Sequence, residues 1–130
     1  MSIKEDKIRE QLFRKGIEAF NNQQYYDAHE YWEDLWSNYR LKDAKFIQAL
    51  IQLSVGYFHI SNTNINGAKG LLNKCLLKFD FYKPSTRGLD VDNIINAVQS
   101  SLENLDIIEN ITDFDWKLTP KLNVDNERTV

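Results

Sequence analysis

One twelve-residue stretch, from Tyr25 to Trp36, constrains the fold more than any other part of the chain. It reads Y-Y-D-A-H-E-Y-W-E-D-L-W and holds two of the three tryptophans, one of the two histidines and four acidic residues. In a helix of about 3.6 residues per turn, Ala28, Trp32 and Leu35 fall on one face, and most of the acidic residues fall on the other. Such large apolar groups must be buried, so the stretch predicts an amphipathic helix packed on a core.

Hydrophobic periodicity of the helical kind continues along most of the chain and predicts five helices. The third is apolar nearly all round, which is typical of a helix at the centre of a bundle. Asparagine tolerates the left-handed conformation, so we expect the asparagines between the helices to form the tight turns. Asp90 is positioned to cap the fifth helix. The predicted helices are about Ile3 to Phe20, Tyr25 to Tyr39, Ala44 to Ser61, Ile65 to Phe81 and Val91 to Asn110.

A shift of forty residues places the first two helices on the third and fourth. Gly16 then coincides with Gly56, and Ala28 with Ala68. Small residues at these positions allow two antiparallel helices to cross closely, with a large residue, Trp32 in the first copy, packed beneath the crossing. This spacing is similar to that of tetratricopeptide helical hairpins, although the usual period is about thirty-four.

The sequence therefore predicts an all-α fold: a five-helix bundle of two antiparallel helical hairpins (tetratricopeptide-like) plus a C-terminal capping helix. We expect residues 1–122 to form a single all-helical domain, with Trp116 tucked onto the bundle. We expect residues 123–130 to be a frayed C-terminal tail.

Composition narrows the classes of function. A chain of 130 residues with 42% hydrophobic content can bury the core of one domain. The net charge of -3 gives no basic field for nucleic acid or an anionic membrane. A single cysteine, Cys75, cannot form an internal disulfide, no leader sequence is evident, and the longest apolar stretch is too short to span a bilayer. We expect a cytoplasmic protein with no nucleic-acid or membrane partner, and no residue pattern calls for a cofactor.

Three runs in the first two thirds of the chain resemble a known family. They are F-N-x3-Y-Y-D-A-H-E-Y-W-E-D-L-W, K-F-I-Q-A-L-I-Q-L-S-V-G-Y-F-H and N-x-N-G-A-x-x-L-L. Together they are similar to domain-of-unknown-function family 309, a group of small all-helical proteins, over about Lys15 to Tyr82. Ala49 stands where the pattern usually has glycine. The resemblance implies an all-α fold and carries no catalytic assignment.

Polar residues flank the predicted core face between the second and third helices. Counting outward from the short loop that joins these helices, His29 comes level with Gln52 or Leu53 and Glu33 comes level with Gln48 or Ala49, while His59 lies towards the far turn. We call this arrangement the polar seam. The candidate site residues are His29, Glu30, Glu33, Gln48, Gln52 and His59.

The polar seam has two interpretations. Buried polar groups usually satisfy one another, which makes the seam a structural network with His29 bonded to Gln52. The alternative is a divalent-metal site formed by His29, Glu33 and His59, although the zinc-protease pattern H-E-x-x-H is absent.

These interpretations lead to two hypotheses about function. The first is a non-enzymatic module that binds a protein or peptide on the hairpin groove. The second is a metal-dependent hydrolase that uses His29, Glu33 and His59. An exposed aromatic groove favours binding, whereas a cavity that converges on both histidines favours catalysis.

Overall fold

The structure is a computed structural model that describes residues 2–124. It contains five α-helices, and the predicted all-α bundle is confirmed. The predicted tail lies outside the described residues except for Asn123 and Val124. The helices are α1 Ile3–Asn21, α2 Tyr25–Asn38, α3 Ala44–Ser61, α4 Ile65–Phe79 and α5 Val91–Ile107.

The helix starts follow from local capping. The Ser2, Asn64 and Asp90 side chains each accept a hydrogen bond from a backbone N–H in the first turn of α1, α4 and α5, respectively. The cap predicted at Asp90 is therefore confirmed. Two helix ends differ from the prediction by more than one residue, because α4 passes into a 3₁₀ turn at Asp80–Tyr82 and α5 ends at Ile107.

The helices pack in chain order around one core. Helix α1 packs on α2, α2 on α3, α3 on α4 and α4 on α5. A two-stranded hairpin, β1 Ser85–Thr86 and β2 Leu89–Asp90, joins the last two helices. After α5, 3₁₀ turns at Ile111–Asp113 and Trp116–Leu118 bring Trp116 onto the Tyr25 ring, with the ring centroids 5.8 Å apart. The largest fully buried side chains are Trp32, Tyr57, Phe13, Phe20, Phe46 and Phe79.

The two predicted helix crossings are present. A Cβ atom added to Gly16 would lie 2.1 Å from Trp32 Nε1, and one added to Gly56 would lie 2.7 Å from Leu72 Cδ2. The indole N–H of Trp32 donates to the backbone carbonyl of Phe13 at 3.2 Å. At both glycines an added Cβ would require a neighbouring side chain to move, so the two helix pairs cross closely, as the repeat predicts.

The conformation of the two hairpin turns differs from the prediction in one detail. Asn22 and Asn62 have φ values of -92° and -99°, so neither asparagine is left-handed. The next residues take that role: Gln23 has a φ of 65° and Thr63 a φ of 57°. In both turns the backbone N–H that follows the left-handed residue bonds back to the preceding helix, from Gln24 in the first turn and from Asn64 in the second. The left-handed turn is conserved between the copies even though its residue is not an asparagine.

A long-range clamp closes the end of the bundle opposite these turns. The Arg87 guanidinium donates to both carboxylate oxygens of Asp43, at 2.6 and 3.0 Å, and lies 4.8 Å above the Phe13 ring centroid. Since Asp43 precedes α3 and Arg87 lies between the two strands, the clamp ties the β-hairpin to the loop between α2 and α3. No helix in the described range, residues 2–124, is long and apolar enough to cross a membrane.

Candidate functional site

A row of side chains on α2 remains outside the core and faces along one side of the helix. Its members, Tyr26, His29, Glu33 and Trp36, follow a 3-4-3 spacing, and we call them the α2 stripe. Tyr26 is 51% exposed and Trp36 is 37% exposed, which is unusual for large aromatic residues in a small domain. The stripe therefore contributes apolar surface that the fold itself does not cover.

The α2 stripe meets α3 through aromatic contacts. The Tyr26 ring centroid lies 5.3 Å from that of Phe58 and 5.1 Å from that of His29. Phe58 in turn lies 6.1 Å from the ring of His59. Both histidines of the chain therefore flank one aromatic pair, Tyr26 and Phe58.

The contacts of His29 indicate its tautomer. Nδ1 of His29 lies 3.2 Å from the backbone carbonyl oxygen of Tyr26, and a carbonyl can only accept. The neutral ring therefore carries its hydrogen on Nδ1. Nε2, which lies 4.0 Å from a Glu33 carboxylate oxygen, keeps a lone pair that can accept from a ligand. The His29 side chain is 23% exposed and that of Glu33 is 48% exposed, so solvent reaches this edge.

The hydrogen bonds predicted across the polar seam are not made. His29 bonds within its own helix, and Glu33 has no bond to Gln48 in the described part of the chain. The side-chain carbonyl oxygen of Gln52 is buried and has no hydrogen-bond partner. These particular pairs are therefore not formed in the described residues, and a structural role for the seam stays a prediction.

The outer face of α3 provides a second row of half-buried side chains, which we call the α3 floor. It consists of Gln48, Gln52, Val55 and His59, at 4-3-4 spacing. Its far end contacts α4, because a Cβ on Gly67 would lie 2.9 Å from His59 Cδ2 and His59 Nδ1 lies 3.5 Å from the Asn64 amide. The opposite edge of α3 contacts α2 through Phe58.

The α3 floor therefore lies between two walls. One wall is the α2 stripe, and the other is the start of α4, which meets His59 at Gly67 and at the Asn64 cap. We call the whole the α3 groove. A separate cavity of about 260 Å³ beside the turn between α1 and α2 is lined by Tyr26 and Phe58, together with Gln23, Gln24, Tyr25, Asp27 and Ser61, and by no residue of the α3 floor.

Glu30, the remaining predicted site residue, lies away from this groove. With Asp27, Tyr31 and Asp34 it lines a separate cavity on the side of α2 that faces α1. The Lys15 ammonium, from α1, lies 5.9 Å from the Tyr31 ring centroid there. The structure therefore separates Glu30 from His29 and Glu33, although the three are close in sequence.

The predicted metal ligands do not converge. Within residues 2–124 no group of three or more His, Cys, Asp or Glu side chains is placed to hold a metal ion. His29 and His59 lie on different helices and each has its own local partner, Tyr26 and Asn64, respectively.

The other groups with reactive chemistry are buried in the core. Burial raises the pKa of the Cys75 thiol, whose sulfur donates to the Leu72 carbonyl. Burial also raises the pKa of Tyr57, whose hydroxyl lies 2.7 Å from that of Ser101. Neither side chain reaches solvent, so neither is available for chemistry at the surface.

Sequence reasoning did not single out Tyr26 and Phe58 as site residues. The available signal was the doublet Tyr25-Tyr26, since adjacent helical residues point about 100° apart and only Tyr25 shares the face of Ala28, Trp32 and Leu35. Tyr25 is the buried one and Tyr26 is exposed.

A comparison with known families agrees with the resemblance found in the sequence. The family model described as domain of unknown function (DUF309) matches residues 13–71. The matched range contains both crossing glycines, the whole α2 stripe and the whole α3 floor. No curated protein matches the chain at a significant level.

Proposed function

We propose that the DUF309 domain of this chain is a non-enzymatic module that binds an extended peptide or protein segment in the α3 groove. The observation that carries this proposal is the exposure of Tyr26 and Trp36 at the two ends of the α2 stripe. Tyrosine and tryptophan dominate binding energy at protein interfaces, because each covers a large area with few rotatable bonds.

The polar groups of the groove suit a peptide backbone. Nε2 of His29 can accept a hydrogen bond from a backbone N–H. Gln48 and Gln52 lie one helical turn apart, and each amide can both donate and accept. The unpartnered carbonyl of Gln52 gains a partner when its amide turns towards a bound N–H. An extended segment presents such donors and acceptors along its length.

The arrangement of the hairpins supports the same function by analogy. Two stacked hairpins with small residues at their crossings are similar to tetratricopeptide hairpins, which leave a groove between neighbouring helices. We propose a cytoplasmic location, since the one cysteine is buried and free. Fold alone does not determine function, so the exposed aromatic residues carry more weight than the analogy.

The metal-dependent hydrolase gains no support from the geometry. Its three proposed ligands, His29, Glu33 and His59, do not form a metal-sized cluster in the described residues. The cavity beside Tyr26 is lined by neither histidine.

Selection of a phage-displayed random peptide library on the immobilised protein tests the proposal. A selected peptide is then synthesised and titrated by calorimetry. We expect Trp36→Ala to weaken its binding about tenfold or more, as truncation of a central interface aromatic does. Ile107→Ala is the control, because it truncates an exposed apolar side chain outside the groove and should leave peptide binding unchanged.

Thermal unfolding of each variant separates lost binding from lost folding. The proposal is wrong if no peptide is enriched. It is also wrong if selected peptides bind a folded double variant, Tyr26→Ala with Trp36→Ala, as tightly as they bind the wild-type protein.

A further inference from the structure

The outer face of α4 exposes apolar side chains among lysines. Phe81 is 86% exposed and Leu77, one turn earlier, is 73% exposed. Lys74 and Lys78 flank them at helical spacing, and neither forms an ion pair within residues 2–124. Helix α4 contains three lysines and no acidic residue. We call Lys74, Leu77, Lys78 and Phe81 the basic knob.

The face of α2 that points away from the α3 groove has the complementary character. Asp27, Glu30 and Asp34 surround Tyr31 and line a cavity of about 290 Å³. Helix α2 contains four acidic residues and no lysine or arginine, and Asp27 and Glu30 form no ion pair in the described chain. We call these four residues the acidic hollow. It offers an aromatic floor, with the Lys15 ammonium 5.9 Å from the Tyr31 ring centroid and three carboxylates around it.

We propose that a second copy of this chain docks here, with the basic knob of each copy in the acidic hollow of the other. The Phe81 ring packs on Tyr31, and Lys74 and Lys78 approach the carboxylates of the hollow. A two-fold axis forms both contacts at once, because in such an interface the knob of each copy meets the hollow of the other. Both contacts bring opposite charges together, and Lys74, Lys78, Asp27 and Glu30 form no ion pair within residues 2–124.

Charge favours a second copy over a lipid surface. An exposed Leu and Phe among lysines is also typical of a helix that lies on an anionic membrane. The chain as a whole has a net charge of -3, which opposes approach to anionic lipid. In contrast, every copy of the chain that carries a basic knob also carries an acidic hollow, so a partner face of opposite charge is always present. The knob lies beyond residue 71, where the family match ends.

Sedimentation velocity over a range of protein concentrations, at about 0.05 M and about 0.5 M salt, tests the proposal. We expect a dimer whose dissociation constant rises at high salt. Phe81→Ala should weaken it about tenfold or more, as loss of an interface anchor does. Ile107→Ala, which truncates an exposed apolar residue outside both faces, should leave the dimer unchanged.

A charge exchange makes the test specific to the two faces. One variant carries Lys74→Glu and Lys78→Glu, and the other carries Asp27→Lys, Glu30→Lys and Asp34→Lys. Each variant alone should be monomeric, because its two faces then have the same sign. An equimolar mixture should form a heterodimer in which both contacts are again between opposite charges.

Three results would overturn the proposal, provided that circular dichroism shows each variant to be folded. The first is a wild-type protein that stays monomeric at every concentration and salt. The second is a dimer that is unaffected by Phe81→Ala and by both charge variants. The third is a monomer that binds phosphatidylserine vesicles and loses that binding in Phe81→Ala, which would assign the knob to a membrane surface.

Discussion

The first hairpin, α1 with α2, and the second, α3 with α4, share a frame but differ in what they display. In both, a glycine sits against a large residue of the following helix, and a left-handed residue closes the turn. The outer faces have opposite charge, with four acidic residues on α2 and three lysines on α4. Asp34 and Lys74, forty residues apart, occupy equivalent positions with opposite signs.

This difference separates the residues that the fold requires from the surface residues that the fold does not constrain. Steric contact within the hairpin fixes the glycines and the residues packed on them. The outer faces carry no such constraint, and the proposed binding functions rest on their aromatic and charged residues. The predictions below test the frame first and the free surface last, in order of decreasing effect.

Removal of the residue beneath each crossing should have the largest effect. Trp32→Ala should destabilise the protein by roughly 3–5 kcal/mol, because it empties a fully buried site and leaves the Phe13 carbonyl without its donor. Leu72→Ala should cost about 2–4 kcal/mol, since Leu72 makes no side-chain hydrogen bond. Urea unfolding of both variants measures the difference. A cost for Trp32→Ala at or below that of Leu72→Ala would contradict this ranking.

Addition of a methyl group at each crossing should have the next largest effect. Gly16→Ala drives a Cβ into the buried and hydrogen-bonded indole of Trp32, with a cost of about 1–3 kcal/mol. Gly56→Ala meets only the flexible end of Leu72 and also gains helix propensity, so we expect a clearly smaller cost. Gly70→Ala is the control, since no atom lies within 4 Å of its added Cβ, and it should stabilise the helix. Equal costs at Gly16 and Gly56 would show that the indole moves as freely as the leucine.

Replacing the left-handed residue of each turn with glycine should have a smaller effect on stability, and it should stabilise the protein. Thr63 is β-branched and has a φ of 57°, so Thr63→Gly should stabilise the protein by about 0.5–1 kcal/mol. Gln23→Gly, in the first hairpin, should gain less because glutamine is not β-branched. Thermal unfolding compares the two, with Thr63→Ala as a control that keeps the strain. Destabilisation by Thr63→Gly would indicate that the threonine side chain has a role in the turn.

The helices and the crossings were predictable because they depend on local patterns. Hydrophobic periodicity placed all five helices, and the spacing of Gly16 and Gly56 located both crossings. The positive φ at Gln23 and Thr63 was missed, because the prediction followed the preference of asparagine for the left-handed conformation. The geometry of the turn requires that conformation one residue later, whichever residue occupies the position. The Arg87–Asp43 clamp joins two loops that are forty-four residues apart in the chain, and no local pattern encodes such a pair.

The candidate site was only partly predictable, because the register of two helices is not a local property. Counting from the loop placed His29 level with Gln52. In the structure α2 meets α3 through the Tyr26 and Phe58 rings, and His29 bonds to the Tyr26 carbonyl of its own helix. A small error in register is enough to separate predicted hydrogen-bonding partners. An error of this size leaves the family resemblance and the approximate location of the groove unchanged. It does change which side chains are predicted to form hydrogen-bonded pairs.

The most direct test of the central claim, that the α3 groove serves binding rather than stability, is a double-mutant cycle on His29 and Gln52. Because these side chains do not bond to each other, His29→Ala should change the free energy of unfolding by no more than about 0.5 kcal/mol. The double variant with Gln52→Ala should be additive to within about 0.5 kcal/mol. A coupling energy of about 1 kcal/mol or more, with His29→Ala strongly destabilising, would contradict the account and restore a structural role for the polar seam.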